Sequence, residues 1–236
     1  MKRTEITNYL KDFFNFEGIV LISSTVILSV IIAFEVDLSL LWPSKLSISL
    51  LPIEIPGFRI FGWMINQTLL YMIIPLILIL LYKKKPRDFG LQIKEIRGMW
   101  KYLLLFSIGI IIITFFVSKN PRFQEVYPMY KYARNDLSLL IIYEIIFLIY
   151  LFSWEFLFRG FILFGLEKRF GNYAILIQMI PFAIMHFAKP PVELLSSILG
   201  GILLGVIALR TRSVVPCWIL HLMFSVPMDI FVYIWT

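Results

Sequence analysis

Charged residues and cysteine are both scarce in this sequence of 236 residues. Only 16% of the residues are charged, whereas soluble domains carry about 25%. That scarcity excludes a soluble enzyme and a disordered chain. The single cysteine, Cys217, cannot form a disulfide within the chain. A secreted module held together by disulfides is therefore excluded as well.

Apolar residues are abundant: 60% of the chain is hydrophobic, and the mean hydropathy is +0.86. A bilayer-spanning helix needs about 20 apolar residues. Seven stretches approach or exceed that length, at 16–36, 60–82, 101–118, 137–158, 173–188, 194–209 and 213–235. No long linker separates them. We therefore predict an all-α fold, a polytopic membrane bundle of about seven or eight transmembrane helices, and a single membrane domain over 1–236.

The distribution of basic residues predicts the orientation of this bundle. The formal net charge is +7, and the chain has 22 Lys and Arg residues. With a cytoplasmic N-terminus and seven crossings, 15 of these 22 lie on the cytoplasmic side, as the positive-inside rule requires. The excess is thus a topology signal, and we expect no nucleic-acid partner. The Ile-, Lys- and Phe-rich composition indicates a bacterial cell membrane, with the lipid bilayer as surroundings.

The fourth stretch continues into a segment with few helix breakers. Residues 137–167 contain no proline and only two glycines, Gly160 and Gly165. A helix of that length would measure about 46 Å, more than the hydrocarbon core of about 30 Å. We expect it to tilt, to project from the membrane or to break near Gly160.

Polar side chains at apolar depth are costly unless they are paired or used, so they mark candidate functional positions. Both histidines of the chain are among them. The strongest candidates are Glu144, Glu155, Arg159, His186, Glu193, His221 and Ser225. Helical rise places Glu155, His186 and His221 about 12 to 20 Å into their spans. These three side chains can therefore meet in one layer within the membrane.

Spacing suggests how these residues interact. Glu155 and Arg159 are four residues apart, as are His221 and Ser225, so each pair shares a helix face. Each pair is open to two interpretations. Glu155 and Arg159 form a purely structural ion pair, or Arg159 keeps a catalytic Glu155 carboxylate ionised. His221 forms a hydrogen bond between helices, or it takes part in catalysis.

Glu193 follows Lys189-Pro190-Pro191. The prolines should end the helix that carries His186 and begin the next one. Glu193 would then lie in a first helical turn, where the helix dipole stabilises negative charge. That role suffices to explain an acid here, although its side chain could also turn back toward His186. The stripe Ser197, Gly201 and Gly205 is typical of close helix packing.

At these positions the sequence resembles a known family, the CAAX-protease and bacteriocin-processing (CPBP, or Abi) intramembrane proteases. Residues 154–160 are similar to its first motif, EExxxR. Residues 182–186 are similar to its second motif, FxxxH. Residues 221–225 are similar to its third motif, HxxxN, with serine in the last place. The motifs occur in the family's order, and the resemblance covers about 137–230, the protease-like core that follows the N-terminal spans at 16–118.

The resemblance implies a helical membrane fold around an intramembrane cavity. In the family, a glutamate and the first histidine activate water to hydrolyse a peptide bond. The second histidine and its HxxxN partner stabilise the oxyanion. The site residues implied here are Glu155, Arg159, His186, Glu193, His221 and Ser225. A required metal or cofactor is not implied, and the chain has no HExxH zinc motif.

One departure from the family pattern affects the general base. Arg159 fixes the register of the first motif, so that its first glutamate is replaced by Trp154 and its second is Glu155. Adjacent helical positions differ by about 100° in direction, so Glu155 does not simply replace the missing acid. Three explanations stay open: a rotated or bulged helix that lets Glu155 act, a base supplied by Glu193, or lost catalysis.

The sequence therefore predicts an intramembrane endopeptidase that acts on a membrane-associated peptide or protein. Bacteriocin maturation, self-immunity and membrane-protein processing are its expected contexts in a bacterium. The alternative is an inactive family member that serves as a membrane binding, immunity or scaffold protein. A transporter with Glu144 and Glu155 as a proton relay is a third hypothesis, because these acids lie three turns apart on nearly one face.

Overall fold

The computed structural model describes residues 11, 13–48, 53–93 and 98–236. Over these ranges the chain forms eight helices of six or more residues and one hairpin of two strands. In chain order they are α1 (Phe16–Ser39), β1 (Lys45–Ile48), β2 (Ile53–Pro56), α2 (Arg59–Leu81), α3 (Trp100–Val117), α4 (Pro121–Val126), α5 (Leu137–Phe170), α6 (Tyr173–Ile184), α7 (Pro191–Thr211) and α8 (Val215–Trp235).

Six of these helices are long and apolar enough to cross a membrane. They are α1, over Phe16–Phe34, and the whole of α2, α3, α5, α7 and α8. The prediction of an all-α membrane bundle is confirmed. The stretch at 173–188 differs from expectation, because its helix, α6, ends at Ile184 and measures only about 18 Å. After Ile184 the backbone continues as turns, with hydrogen bonds between residues three apart. One example is the bond from the His186 amide to the Ala183 carbonyl at 3.0 Å.

The hairpin of β1 and β2 was not predicted. It is antiparallel, with Lys45 opposite Pro56, and connects α1 to α2. Each strand has four residues, and alternation over so short a length does not stand out between two apolar helices. The hairpin contributes to the bundle mainly through Ile55, of which 4% is exposed.

Helix α5 is the longest element and carries the first motif. Its N-terminus is capped by the Asp136 side chain, which accepts hydrogen bonds from the amides of Ser138 and Leu139 at 2.8 and 3.1 Å. Of the three outcomes expected for this helix, the break near Gly160 does not occur, because Phe156–Leu163 forms a π-helical segment within a continuous helix. Such wide turns shift the side chains that follow them and are frequent at functional sites.

Helices α6 and α7 pack closely through the small-residue stripe, as the sequence predicted. A Cβ atom at Gly201 would lie 2.9 Å from Met179 Cγ and 3.2 Å from Phe182 Cδ1. The Gln178 side chain of α6 donates a hydrogen bond to the Gly201 carbonyl at 2.8 Å. The absence of a side chain at Gly201 therefore lets α6 approach α7, and α6 leads directly to His186.

Loops that the charge count assigns to the cytoplasm meet at one end of the bundle. The Val214 amide donates to the Gly90 carbonyl at 3.1 Å, and Gln92 Nε2 donates to the Arg212 carbonyl at 3.0 Å. Arg212 also pairs with Glu167 at 2.6 Å. The connections after α2, α5 and α7 thus lie on one side of the bundle. The charge count also placed these three connections on the same side of the membrane.

We expect Gly201→Leu to destabilise the bundle by about 1–3 kcal/mol, because the added side chain overpacks the contact with Met179 and Phe182. Gly200→Leu is the matched control, since a Cβ atom there meets nothing within 4 Å. Thermal unfolding of the purified protein in detergent measures the difference. Equal melting temperatures for the two variants would contradict the close packing.

Candidate active site

Glu155 and Arg159 lie where the regular part of α5 passes into its π-helical segment. Both side chains are fully buried. Arg159 Nη1 donates to Glu155 Oε1 at 3.2 Å, so the pairing expected from their spacing is present. The guanidinium also stacks on Phe182 of α6, with Cζ 3.8 Å from the ring centroid. The ion pair of α5 therefore contacts the helix that carries the second motif.

The same carboxylate oxygen reaches α8. His221 Nδ1 lies 2.6 Å from Glu155 Oε1 and donates its proton to it. A carboxylate that accepts from Nδ1 fixes the orientation of an imidazole and directs Nε2 the other way. Glu155 therefore holds His221 in place, and its own side chain is enclosed between Arg159 and that ring.

His186 lies in the turn beyond α6, not within a helix that runs to Lys189-Pro190-Pro191 as expected. Its Nδ1 lies 2.7 Å from the Phe182 carbonyl, which is one of the unpaired acceptors at a helix C-terminus. The carbonyl has no proton to give, so Nδ1 is the donor. The rings of His186 and His221 are 6.4 Å apart and inclined by 23°. Both imidazoles are thus anchored through Nδ1.

Glu193 occupies the first turn of α7, as the sequence predicted. Tyr127, in the connection between α4 and α5, donates its hydroxyl to Glu193 Oε1 at 2.6 Å. Burial and the neighbouring Glu193 carboxylate raise the pKa of Tyr127 well above its usual value, so the hydroxyl stays protonated and remains a donor. The Lys189 ammonium lies 4.5 Å from the centre of the Tyr127 ring.

A cavity of about 290 Å³ joins these groups. His186, Glu193, His221 and Ser225 all line it, and they come from the turn after α6, from α7 and from α8. Glu155 and Arg159 are fully buried behind this wall. The structure therefore brings together the six site residues that the resemblance implied, in two layers: four at the cavity and two behind His221.

Trp154 contributes to the cavity wall as well. Its indole ring lies 5.8 Å from the His186 ring, in an edge-to-face arrangement. The position that the resemblance aligns with the first motif glutamate thus faces the cavity beside the first histidine. Glu155, one residue later, faces His221 and Arg159 instead. The direction change expected between adjacent helical positions is observed.

Glu144 lies apart from this cluster. Its carboxyl interacts with that of Asp229 on α8, and no interaction joins it to Glu155 among the described residues. Asp229, which is 1% exposed, was missed by the sequence analysis. The signal was available, because Asp229 follows His221 and Ser225 at the same spacing of four residues.

Tyr127 and Lys189 are two further contributors that the sequence analysis missed. Both lie in connections between helices, where no periodicity indicates the direction of a side chain. Burial lowers the pKa of Lys189, whereas the carboxylates of Glu193 and Asp229 act in the opposite direction. Among the described residues, no group of three or more His, Cys, Asp or Glu side chains is arranged to hold a metal ion.

Comparison with known proteins supports the resemblance seen in the motifs. Residues 136–226 match the family described as type II CAAX prenyl endopeptidase Rce1-like. The matched region begins at the cap of α5 and ends one residue after Ser225, so it contains all three motifs. No curated protein and no solved structure matches the chain.

We expect the Nδ1 atoms of both histidines to carry a proton, because each donates to an oxygen, of Phe182 or of Glu155. Nitrogen-15 NMR of histidine-labelled protein in detergent measures this directly, since the chain has only two histidines and His186→Ala assigns the signals. Glu155→Leu should change the His221 signals and leave those of His186 in place. A proton on Nε2 alone in either ring would contradict the geometry.

Proposed function

Because residues 136–226 belong to the Rce1-like family of type II CAAX prenyl endopeptidases, we propose that this chain is an intramembrane endopeptidase. Its substrate is a membrane-associated peptide or protein, and its reaction is hydrolysis of a peptide bond by activated water. The observation that carries the proposal is the convergence of Glu193, His186 and His221 on one cavity. These groups come from separate elements of a membrane bundle.

Glu193 is the general base in this proposal. Its Oε1 accepts from Tyr127, and its Oε2 has no hydrogen-bond partner in the part of the chain that the structure describes. A buried acceptor without a partner is costly, and a water molecule in the cavity would satisfy it. Glu193 Oε2 then takes a proton from that water, while His186 Nε2 orients it by accepting its second hydrogen bond.

The resulting hydroxide attacks the carbonyl carbon of the scissile bond, and negative charge develops on the carbonyl oxygen. Ser225 and His221 line the same cavity and donate hydrogen bonds to that oxyanion. The Glu155 carboxylate beside Nδ1 stabilises a protonated His221 ring, whose Nε2 then has a proton to donate. Glu193 finally transfers the proton it received to the departing amine.

This assignment uses the second of the three explanations for the missing glutamate. Glu155 orients His221, and Glu193 supplies the base from across the cavity. The biological setting that we propose is the processing of bacteriocins or other membrane proteins at a bacterial membrane, with the N-terminus in the cytoplasm.

The second candidate function is that of an inactive family member that binds a partner at the membrane. Trp154 favours it, because an indole occupies the cavity wall where the family carries an acid. The two candidates differ in whether any peptide bond is broken. An assay of cleavage therefore distinguishes them.

We expect His186→Ala to lower the rate of cleavage by a factor of about 10² to 10⁴, the usual contribution of an acid–base group. Membrane-associated peptides from cells that produce the wild type, this variant or no protein are compared by mass spectrometry. Ile184→Ala is the control, because its side chain is 56% exposed and does not line the cavity. Peptide patterns that are identical in all four samples would favour the inactive partner-binding protein.

Chemical rescue distinguishes the two glutamates. Glu193→Ala opens space at the cavity, so added formate should enter and restore part of the activity. Glu155→Ala should not be rescued in this way, because residue 155 is fully buried behind the cavity wall. Cleavage of a farnesylated CAAX peptide carrying a fluorophore and a quencher gives the rates. Rescue of Glu155→Ala but not of Glu193→Ala would identify Glu155 as the base instead.

A further inference from the structure

Three side chains that line the cavity have no part in the proposed mechanism. They are Trp63, Gln67 and Trp154. The indole Nε1 of each tryptophan and Oε1 of Gln67 are buried and lack hydrogen-bond partners within the described ranges of the chain. Buried polar atoms in native proteins nearly always have partners, so three such atoms around one cavity require an explanation.

These three side chains, together called the patch below, line the same cavity as the catalytic groups. Trp63 and Gln67 are one turn apart on α2, and Trp154 lies on α5. Both indoles contact the Tyr150 ring, with centroid distances of 5.2 and 6.2 Å. Gln67 is only 3% exposed and Trp154 only 7%. The patch reaches His186, whose ring is 5.8 Å from that of Trp154.

The chemistry of the patch indicates what binds there. It offers two N–H donors and one amide oxygen as acceptor, set among aromatic rings. A lipid chain has no polar atoms to satisfy them. A peptide main chain carries carbonyl acceptors and N–H donors at regular intervals, so it can pair with both kinds of atom while its apolar side chains contact the rings.

We infer that Trp63, Gln67 and Trp154 form a subsite for the main-chain amides of a substrate peptide. The subsite is adjacent to the scissile bond, which is hydrolysed by the water that His186 and Glu193 activate. The indole N–H groups donate to substrate carbonyl oxygens, and Gln67 Oε1 accepts from a substrate N–H. The position next to the reacting bond rests on the proposed function. The binding itself does not, because it involves none of the groups assigned to proton transfer.

Trp154 then has a role of its own in this chain. The family glutamate at this position is replaced by a residue with a single fixed donor and a large apolar surface. Its Nε1 proton holds a carbonyl oxygen, and its ring narrows the cavity beside His186. In this subsite the residue fixes the register of the peptide and thereby selects which bond lies over the catalytic groups.

Binding to a variant that cannot cleave tests the subsite without depending on catalysis. The protein carries His186→Ala, and the probe is a fluorescent farnesylated CAAX peptide, together with analogues in which one amide at a time is replaced by an ester. Trp154→Phe and Trp63→Phe each remove one donor. Each should weaken binding of the all-amide peptide by about three- to tenfold, the worth of one hydrogen bond.

The ester analogues identify the hydrogen bonds themselves. An ester lacks the N–H, and its carbonyl is a weaker acceptor than that of an amide. In the analogue whose ester replaces the amide bound by Trp154, the loss of affinity caused by Trp154→Phe should therefore shrink toward none, as in a double-mutant cycle. Trp100→Phe is the matched control, since Trp100 is 55% exposed and lies away from the cavity. Replacing Trp154 by benzothienylalanine removes the N–H and keeps the ring shape. It provides the same test if the Trp154→Phe variant does not fold.

Three results would overturn the subsite: equal losses for all-amide and ester peptides, no loss in either tryptophan variant, or no binding of the peptide to the His186→Ala protein. The first of these would mean that the donors face water and that the rings act only by packing. A different outcome separates the two proposals: binding shows the expected coupling between tryptophan and amide, but the wild-type protein cleaves nothing. That outcome would refute the proposed endopeptidase and leave the subsite standing.

Discussion

A charge buried inside a membrane bundle must be compensated by neighbours, and the site is organised around one such charge. The Glu155 carboxylate is fully buried and takes Arg159 and His221 on the same oxygen, Oε1. Removing one partner of a buried ion pair typically costs about 3–5 kcal/mol, because the other charge is left alone. The three side chains therefore constrain one another, and α5 and α8 cannot shift independently.

A second contact links this ion pair to the residue that holds the first histidine. The Arg159 guanidinium lies over the Phe182 ring at 3.8 Å, and the Phe182 carbonyl accepts a hydrogen bond from Nδ1 of His186. The ion pair thus orients His221 directly, whereas a helix-end carbonyl orients His186. Gly160 lies in the π-helical segment one residue after Arg159 and packs closely, since a Cβ atom there would lie 2.6 Å from Phe156 Cδ2 and 3.0 Å from the Phe89 carbonyl.

Much of this arrangement could be predicted from the sequence because membrane helices are simple to recognise and polar residues within them are few. Spacing of four residues identified the partners Glu155 and Arg159, and helical rise placed both histidines near the same depth. The end of α6 before His186 was not predictable, because it depends on bonds within a turn. Tyr127 was missed since its direction is set by tertiary packing of a loop. Asp229 was missed although its spacing from His221 is regular.

In the proposed function, Glu193 acts in place of the first motif glutamate. Trp154, at the position of that glutamate in the resemblance, lines the cavity beside His186. The proposed base, Glu193, begins a different helix, where the dipole stabilises its charge and where Tyr127 holds one of its oxygens. An acid at that place needs no rotation of α5 and leaves the Glu155–Arg159 pair intact. Relocating the base to α7 therefore preserves every contact that orients the two histidines, whereas a rotation that aimed Glu155 at the cavity would break the contacts that hold them.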